Sequence, residues 1–373
     1  MGLQKLDKAP SKVRYFPEED DIASKLTPDD VDHIYQIFET PLTGSYNWDY
    51  NSADTRIRKL YELGKQYNWN VETDLDWSTK FPKDQYPTDP AFNPFIDYPP
   101  YQKLSEAEKI RFEWHQLGSS LSQFLHGEQG ALLVASQLVC CAPSYDAKLF
   151  AASQTFDEAR HVEVFNKFLT TQVEIMYPIN PNLQSLLDKI LMDERWDLKF
   201  IGMQVIIESL ALTVFKTARY TTKIPLLNEI FRLVIRDEAR HVTFGINYLE
   251  EYVKTLTDEE RDDRAEFALE ACFVMRNRLG VSPEVFKEFG WDVEAANEFA
   301  EGIKFGQDDF RNILFSRIMP NLKRIGLLTD KIRPKFDEMG LLVYENDEHD
   351  GEIQWDKLTR PLFENRVTEL AEG

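Results

Sequence analysis

The sequence predicts an all-α protein: a four-helix bundle with additional helices after it and an irregular extension before it. Three observations predict this. From Ser105 onward, apolar residues recur at spacings of three and four over long runs almost free of Gly and Pro, the pattern of amphipathic helices. The interruptions are few and fall at turn formers: CAPSYD around Pro143, YPINPN at 177–182, and TTKIP ending in Pro225. No stretch competes by alternating apolar and polar residues as a half-buried strand does.

Residues 1–100 are rich in Pro, Tyr, Trp and Asp, as in PTDPAFNPFIDYPPY, with short helical stretches at 29–38 and 56–67. They read as an extension wrapped around a core. Four helices follow at about 105–139, 147–176, 183–220 and 226–254, the third interrupted near 194–197, and form a core over 101–255. Packing helices at roughly 258–279, 293–317 and 331–339 occupy 256–345, and 346–373 is an acidic tail without a fold of its own.

Of the 373 residues 43% are hydrophobic, enough for a sizeable core. Cys140 and Cys141 are adjacent and Cys272 is their only distant partner, so no disulfide framework is expected and a reducing, cytoplasmic setting fits. The first nineteen residues lack the apolar stretch of a secretory signal. No membrane span is expected either, because the most apolar segment, 201–215, is short and contains Gln204 and Glu208. A net charge of −21 repels phosphate backbones and argues against a nucleic-acid partner.

Within the bundle the pentapeptide DEARH occurs twice, at 157–161 and 237–241. Thirty residues before the glutamate of each copy stands an isolated acid on an apolar stretch: Glu128 in FLHGEQGALLVA and Glu208 in VIIESLALTVF. A Glu plus ExxH unit is therefore duplicated. Glu and His three positions apart share a helix face, so both reach one ion. Glu128 and Glu158 are symmetric about Pro143, and Glu208 and Glu238 about Lys223, so each hairpin sets its two acids level, roughly 20 Å from the turn at 1.5 Å per residue. A lone Glu or ExxH of this kind is ordinarily surface decoration. Six such residues in a duplicated arrangement form a site.

Four carboxylates gathered in an apolar interior need compensation, since desolvating even one charge costs several kcal/mol. Two divalent cations balance them. Imidazole plus carboxylate suits iron or manganese, whereas a structural zinc site recruits thiolates, and no cysteine belongs to the repeat. Oxidising two ferrous ions adds two positive charges that an oxygen-derived dianion can cancel, which points to dioxygen chemistry.

These residues resemble the ferritin-like dinuclear-iron carboxylate proteins, in which two helices each give a Glu and two each give an ExxH. That superfamily includes the ribonucleotide reductase small subunit, hydroxylase subunits of multicomponent monooxygenases, acyl-carrier-protein desaturases and arylamine N-oxygenases. The resemblance covers about 105–254 and implies Glu128, Glu158, His161, Glu208, Glu238 and His241 as ligands of two iron ions, or of a manganese–iron pair. It further implies that Asp157 orients His241, that Asp237 orients His161, and that Arg160 and Arg240 brace nearby acids, a role an ordinary interhelical salt bridge would also explain.

Departures narrow the expectation. Phe165 stands where the reductase subunit carries its radical tyrosine, and Glu128 where that subunit opens its ligand series with Asp. Val234 replaces the third histidine of the best-known arylamine N-oxygenases, which disfavours N-oxygenation by that particular site. Leu212 occupies the position of a threonine common in monooxygenase hydroxylases, with Thr213 displaced by one.

Phe124, Leu132, Phe165, Leu212 and Phe244 lie a turn from the ligands, as core or as the wall of an apolar pocket. His115 and His126 lack the duplicated spacing and read as structural. The region of Trp48, Trp69 and Trp77 anchors the extension to the core, with a lid as the other reading. The expected function is that of a dioxygen-activating oxidoreductase, a monooxygenase or oxidase of a small, largely apolar organic substrate. With no flavin or iron–sulfur motif, it needs a separate reductase or ferredoxin. A homodimer is the expected assembly. The alternatives are a ferroxidase or iron-storage protein, an N-oxygenase or desaturase using the same ligands, and a helical interaction protein with vestigial ones.

Overall fold

The structure is a computed structural model that describes residues 13–15, 38–51, 54–278, 282–302, 304–305, 308–309, 312 and 315–353. The stretch expected to be helical at 29–38 and the acidic tail past 353 fall largely outside these residues. The architecture is all-α, a ferritin-like bundle. Helix α1 (Thr55–Gln66) lies in the extension, capped by Asp54, whose side chain accepts from the amides of Arg56 and Ile57. The bundle comprises α2 (Glu106–Cys141), α3 (Tyr145–Phe168), the broken third arm of α4 (Pro181–Met192), α5 (Trp196–Phe200) and α6 (Glu208–Thr221), and finally α7 (Pro225–Val253).

Local chemistry sets these boundaries. Ser105 and Glu108 form a reciprocal capping box at the start of α2, Ser144 caps α3 through the Ala147 amide, and Pro181 and Pro225 open their helices where the missing N–H costs nothing. The hairpin turns between α2 and α3 and between α6 and α7 contain Pro143 and Lys223, the two points about which the acids are symmetric.

The third arm departs from a continuous helix in two ways. It breaks after Met192, where buried Lys199 donates to the helix-end carbonyls of Ile190 and Leu191 at 2.9 and 3.2 Å. It then runs through a π-helical stretch, Ile201–Ile207, that joins α5 to α6 immediately before Glu208. A second π-helical turn, Leu169–Val173, extends α3. The run Trp196–Thr221 is long and apolar enough to cross a membrane, yet 89% of its most apolar window is buried inside the protein, as befits a core helix.

Helix α8 (Asp258–Arg278) packs on the third arm, sharing one core with it through Phe267, Ala268, Ile190 and Ile201. Helices α9 (Pro283–Glu288), α10 (Val293–Glu301), α11 (Ile318–Ile325) and α12 (Arg333–Glu338) follow. The helix expected over 293–317 ends at Gly302, and the short strands Lys304–Phe305 and Asp308–Asp309 pair beyond it. Near the start, Arg14–Tyr15 pairs with Ile175–Met176.

The extension meets the bundle through Trp69, Val71 and Leu75, which are buried in one core with Phe165, Phe215 and Phe231, while Trp77 is half-buried against it. Trp48 does not take part in anchoring: it is 75% exposed and stacked on Tyr46 with ring centroids 5.0 Å apart.

Candidate metal centre

Equal spacing from the two turns brings Glu128, Glu158, His161, Glu208, Glu238 and His241 to one level of the bundle, each at most 5% exposed. His161 Nδ1 lies 3.2 Å from Glu128 Oε2, 3.3 Å from Glu158 Oε2 and 3.1 Å from Glu238 Oε1. His241 Nδ1 lies 3.1 Å from Glu158 Oε1, 3.3 Å from Glu238 Oε2 and 3.7 Å from Glu208 Oε2. Glu158 and Glu238 thus each present one oxygen to each histidine, whereas Glu128 and Glu208 each serve one. Candidate ligand atoms form two clusters, each within 4.8 Å: Glu128, Glu158, His161 and Glu238, and Glu158, Glu208 and His241.

Beneath the histidines lies a second, self-contained layer. Asp237 Oδ2 lies 3.3 Å from His161 Nε2, and Asp157 Oδ2 lies 3.2 Å from His241 Nε2, so each aspartate accepts a hydrogen bond from the Nε2–H of the histidine in the other motif. Arg240 donates to Asp157 at 2.8 Å and to Asp237 at 2.9 Å, and Arg160 donates to Asp157 and, at 3.3 Å, to Asp237. Two buried arginines therefore match two buried aspartates. Against the upward push of burial, Arg240 holds the Asp237 carboxyl well below the usual carboxylate range.

With both arginines engaged by the aspartates, only protons or metal ions can compensate the four glutamates. Glu158 Oε2, Glu208 Oε2 and Glu238 Oε1 are buried without a hydrogen-bond partner. With the proton on Nε2, each Nδ1 directs a lone pair at carboxylate oxygens, an arrangement that is repulsive unless a cation stands between them. Without ions, burial pushes the Glu128 and Glu208 carboxyls well above their ordinary range, reinforced by Glu238 at Glu128 and by Glu158 and then Glu238 at Glu208. Against burial, the carboxylates push both imidazoles up. Ion binding must displace those protons. Six donors of this chemistry fit two divalent first-row ions, and the buried carboxylate–histidine cluster is suited to a dimetal site.

The sequence reading placed four residues that shape the site outside it, Trp69 as an anchor of the extension only. Trp69 Nε1 donates to Asp237 Oδ2 at 2.7 Å, with the Arg160 guanidinium 5.2 Å from its ring, and Asn68 accepts from Arg160 at 2.6 Å. Gln154 donates to Glu158 Oε1 at 3.1 Å and Glu208 Oε1 at 2.7 Å, with Gln204 behind it. The glutamines did leave a sequence signal, since each stands four residues before a duplicated glutamate. Of the residues expected along the ligand face, Phe165, Leu212 and Phe244 are fully buried and Phe124 and Leu132 half-buried. Phe124, Phe165, Phe215 and Phe231 pack together with centroids 4.9–6.2 Å apart, whereas Phe244 packs on Phe150 at 4.3 Å.

Among the described residues no third histidine joins the centre. His115 pairs with the Tyr177 hydroxyl, His126 with the Tyr177 carbonyl and His349 with Arg324. Val234, fully buried, stands one turn before Glu238.

Among solved structures, the chain is similar to a point mutant of an R2-like ligand-binding oxidase with aerobically reconstituted Mn/Fe cofactor, at 18% identity over 74% of this chain and 94% of that one, with a TM-score of 0.45. It is also similar to the R2-like ligand-binding oxidase from Sulfolobus acidocaldarius, at 20% identity over 69% and 92% of the two chains with a TM-score of 0.42. The dimanganese(II)-NrdF of Streptococcus sanguinis gives 17% identity over 87% and 99%, with a TM-score of 0.43. No curated protein matches. A family model described as p-aminobenzoate N-oxygenase AurF matches residues 51–326, most of the chain and the whole of the centre. The chain belongs to the p-aminobenzoate N-oxygenase AurF family and is an oxidoreductase with a dimetal carboxylate site.

Proposed function

We propose that the chain is a dioxygen-activating di-iron oxidoreductase, a monooxygenase or oxidase of a small, largely apolar organic substrate, with Glu128, Glu158, His161, Glu208, Glu238 and His241 as metal ligands. The observation that carries this reading is the charge imbalance: four buried glutamates surround two imidazole Nδ1 atoms while both nearby guanidinium groups are engaged by Asp157 and Asp237. Bound iron would supply the electrons that reduce dioxygen and the Lewis acidity that holds it. A manganese–iron pair fits the same donors.

The chain's own residues have separable tasks. Asp157 and Asp237 fix the imidazole tautomer so that Nδ1 is free to bind. Glu128, Glu158, Glu208 and Glu238 would hold the two ions together with the histidines, Glu158 and Glu238 facing both imidazoles and Glu128 and Glu208 one each. The layer of Phe124, Phe165, Phe215 and Phe231 excludes water and favours an apolar, aromatic substrate. Electrons come from a separate reductase or ferredoxin. The protein works in the cytoplasm as a homodimer. Within this reading, family membership favours the nitrogen of an arylamine as the oxygen acceptor, with a two-histidine donor set in place of a three-histidine one.

Metal analysis of wild type beside Glu158→Ala, followed by oxygen uptake of the iron-loaded, reduced protein, tests the proposal. Two ions per chain, both lost in the variant, and metal-dependent oxygen consumption are expected. Reduced, iron-loaded protein that consumes no oxygen would sink the oxygenase reading, and large iron-filled shells in light scattering would replace it with iron storage. Product analysis on an arylamine and on the matching arene separates N-oxygenation from ring hydroxylation.

A further inference from the structure

The four ligand glutamates differ in what stands one helical turn before them: Phe124 before Glu128, Gln154 before Glu158, Gln204 before Glu208 and Val234 before Glu238. Both glutamine side chains are completely buried. Gln154 Nε2 reaches two carboxylate oxygens, Glu158 Oε1 at 3.1 Å and Glu208 Oε1 at 2.7 Å. With metal ions bound the carboxylates are ionised and only accept, so the nitrogen of this amide faces them and its oxygen faces away. That oxygen accepts from Gln204 Nε2 at 3.4 Å, which leaves Gln204 Oε1 without a partner. The orientation of both amides is therefore dictated outward from the centre.

Backbone packing holds the pair in place. Gln204 lies in the π-helical run Ile201–Ile207, and α7 approaches it closely because residue 245 is Gly. A Cβ at Gly245 would stand 2.5 Å from the Gln204 Cβ, a contact that forces something to shift. The two carboxylate oxygens that Gln154 holds belong to one half of the centre. Glu158 Oε1 is the oxygen 3.1 Å from His241, and Glu208 faces His241 alone. At the His161 end the equivalent positions are Phe124 and Val234, which cannot donate.

We infer that Gln154, backed by Gln204, is a positioning residue for one of the two metal positions, the one at His241, and makes it unlike the position at His161. By holding Oε1 of Glu208, the amide leaves the unpartnered Oε2 as the oxygen presented to the ion. This inference rests on the dimetal reading above. Removing a hydrogen bond behind a metal ligand typically costs about ten- to a hundredfold in affinity.

The test is a titration of the full-length, metal-free protein with Mn(II) alone, followed by electron paramagnetic resonance, with circular dichroism as the check on folding. Wild type is expected to bind two ions and to give the signal of a coupled pair. Gln154→Met keeps length and loses the donors: one binding event should weaken about ten- to a hundredfold, the other should stay within about threefold, and the coupled signal should vanish at two equivalents. Gln204→Met should weaken the same event by a smaller factor. Both events weakening equally, or neither moving, overturns the inference. Should Gln154→Met not fold, Gln204→Met decides on the same criterion. A wild type that binds no Mn(II) or Fe(II) defeats the dimetal reading instead, and the two failures are distinct.

Discussion

Replacing Arg240 with Met puts the charge ledger of the centre to a direct test. Arg240 is fully buried and joins Asp157 to Asp237 through contacts of 2.8 and 2.9 Å, so the variant leaves two buried aspartates facing Arg160 alone. Breaking a buried ion pair from one side costs about 3–5 kcal/mol, because the stranded charge keeps its desolvation penalty. For a chain of 373 residues that is roughly 4–6 °C in Tm. Adding Asp157→Asn restores one charge against one, and the pair should recover about 1–3 kcal/mol relative to additivity. Urea unfolding of the metal-free protein at two salt concentrations measures both quantities, and burial predicts little salt dependence. The pH dependence carries a sign. Asp237 has a depressed folded pKa, so its contribution is fully present above the unfolded carboxylate range and is lost progressively as pH falls below that range toward the folded value; Arg240→Met should shrink that acid-side loss. A cost below about 1 kcal/mol would mean that the arginines do not balance the aspartates. The claim that four glutamates await metal ions would then lose its footing.

Two further expectations concern single residues. Trp69→Phe keeps the ring but deletes the 2.7 Å donation to Asp237, and should lower stability by about 2 kcal/mol and metal affinity by about tenfold, read by urea unfolding and metal titration. A loss under about 0.5 kcal/mol would show the indole to be mere packing. Lys216, 6% exposed, has its pKa pushed down to about 7, mainly by burial and further by Arg317. Its folded value lies below the unfolded 10.5, so wild-type stability should rise with pH between those values, by up to about 5 kcal/mol. Lys216→Met should be the more stable protein at pH 6 and lack that rise, and unfolding curves at pH 6 and pH 9 that move in parallel would refute it.

The helices and the meeting of six side chains were legible because both follow from short-range regularities. A 3.6-residue period marks each helix, and equal counting from two turns levels the acids. What the sequence concealed depends on distant partners or on small backbone choices. The indole that meets Asp237 comes from 168 residues away and has no local signature. The π-helical run Ile201–Ile207 has the same apolar composition an α-helix would have, so its extra residue per turn is invisible in the pattern. The ending of α10 at Glu301 was signalled by Gly302, but helix-like spacing on either side outweighed it. The break after Met192 was foreseen near 194–197, although nothing local revealed that Lys199 would close it.

The Trp69 contact also bears on how the two halves of the protein can diverge. The repeated Glu plus ExxH units face each other as near equals, with each aspartate accepting a hydrogen bond from the other's histidine. Only Asp237 carries an indole from the extension; Asp157 has no such partner among the described residues. A segment outside the repeat has therefore broken the equivalence of the halves. Once one half answers to a neighbour that the other lacks, a substitution tolerated at 157 is no guide to what is tolerated at 237. The two motifs, identical in their five residues, are chemically different sites.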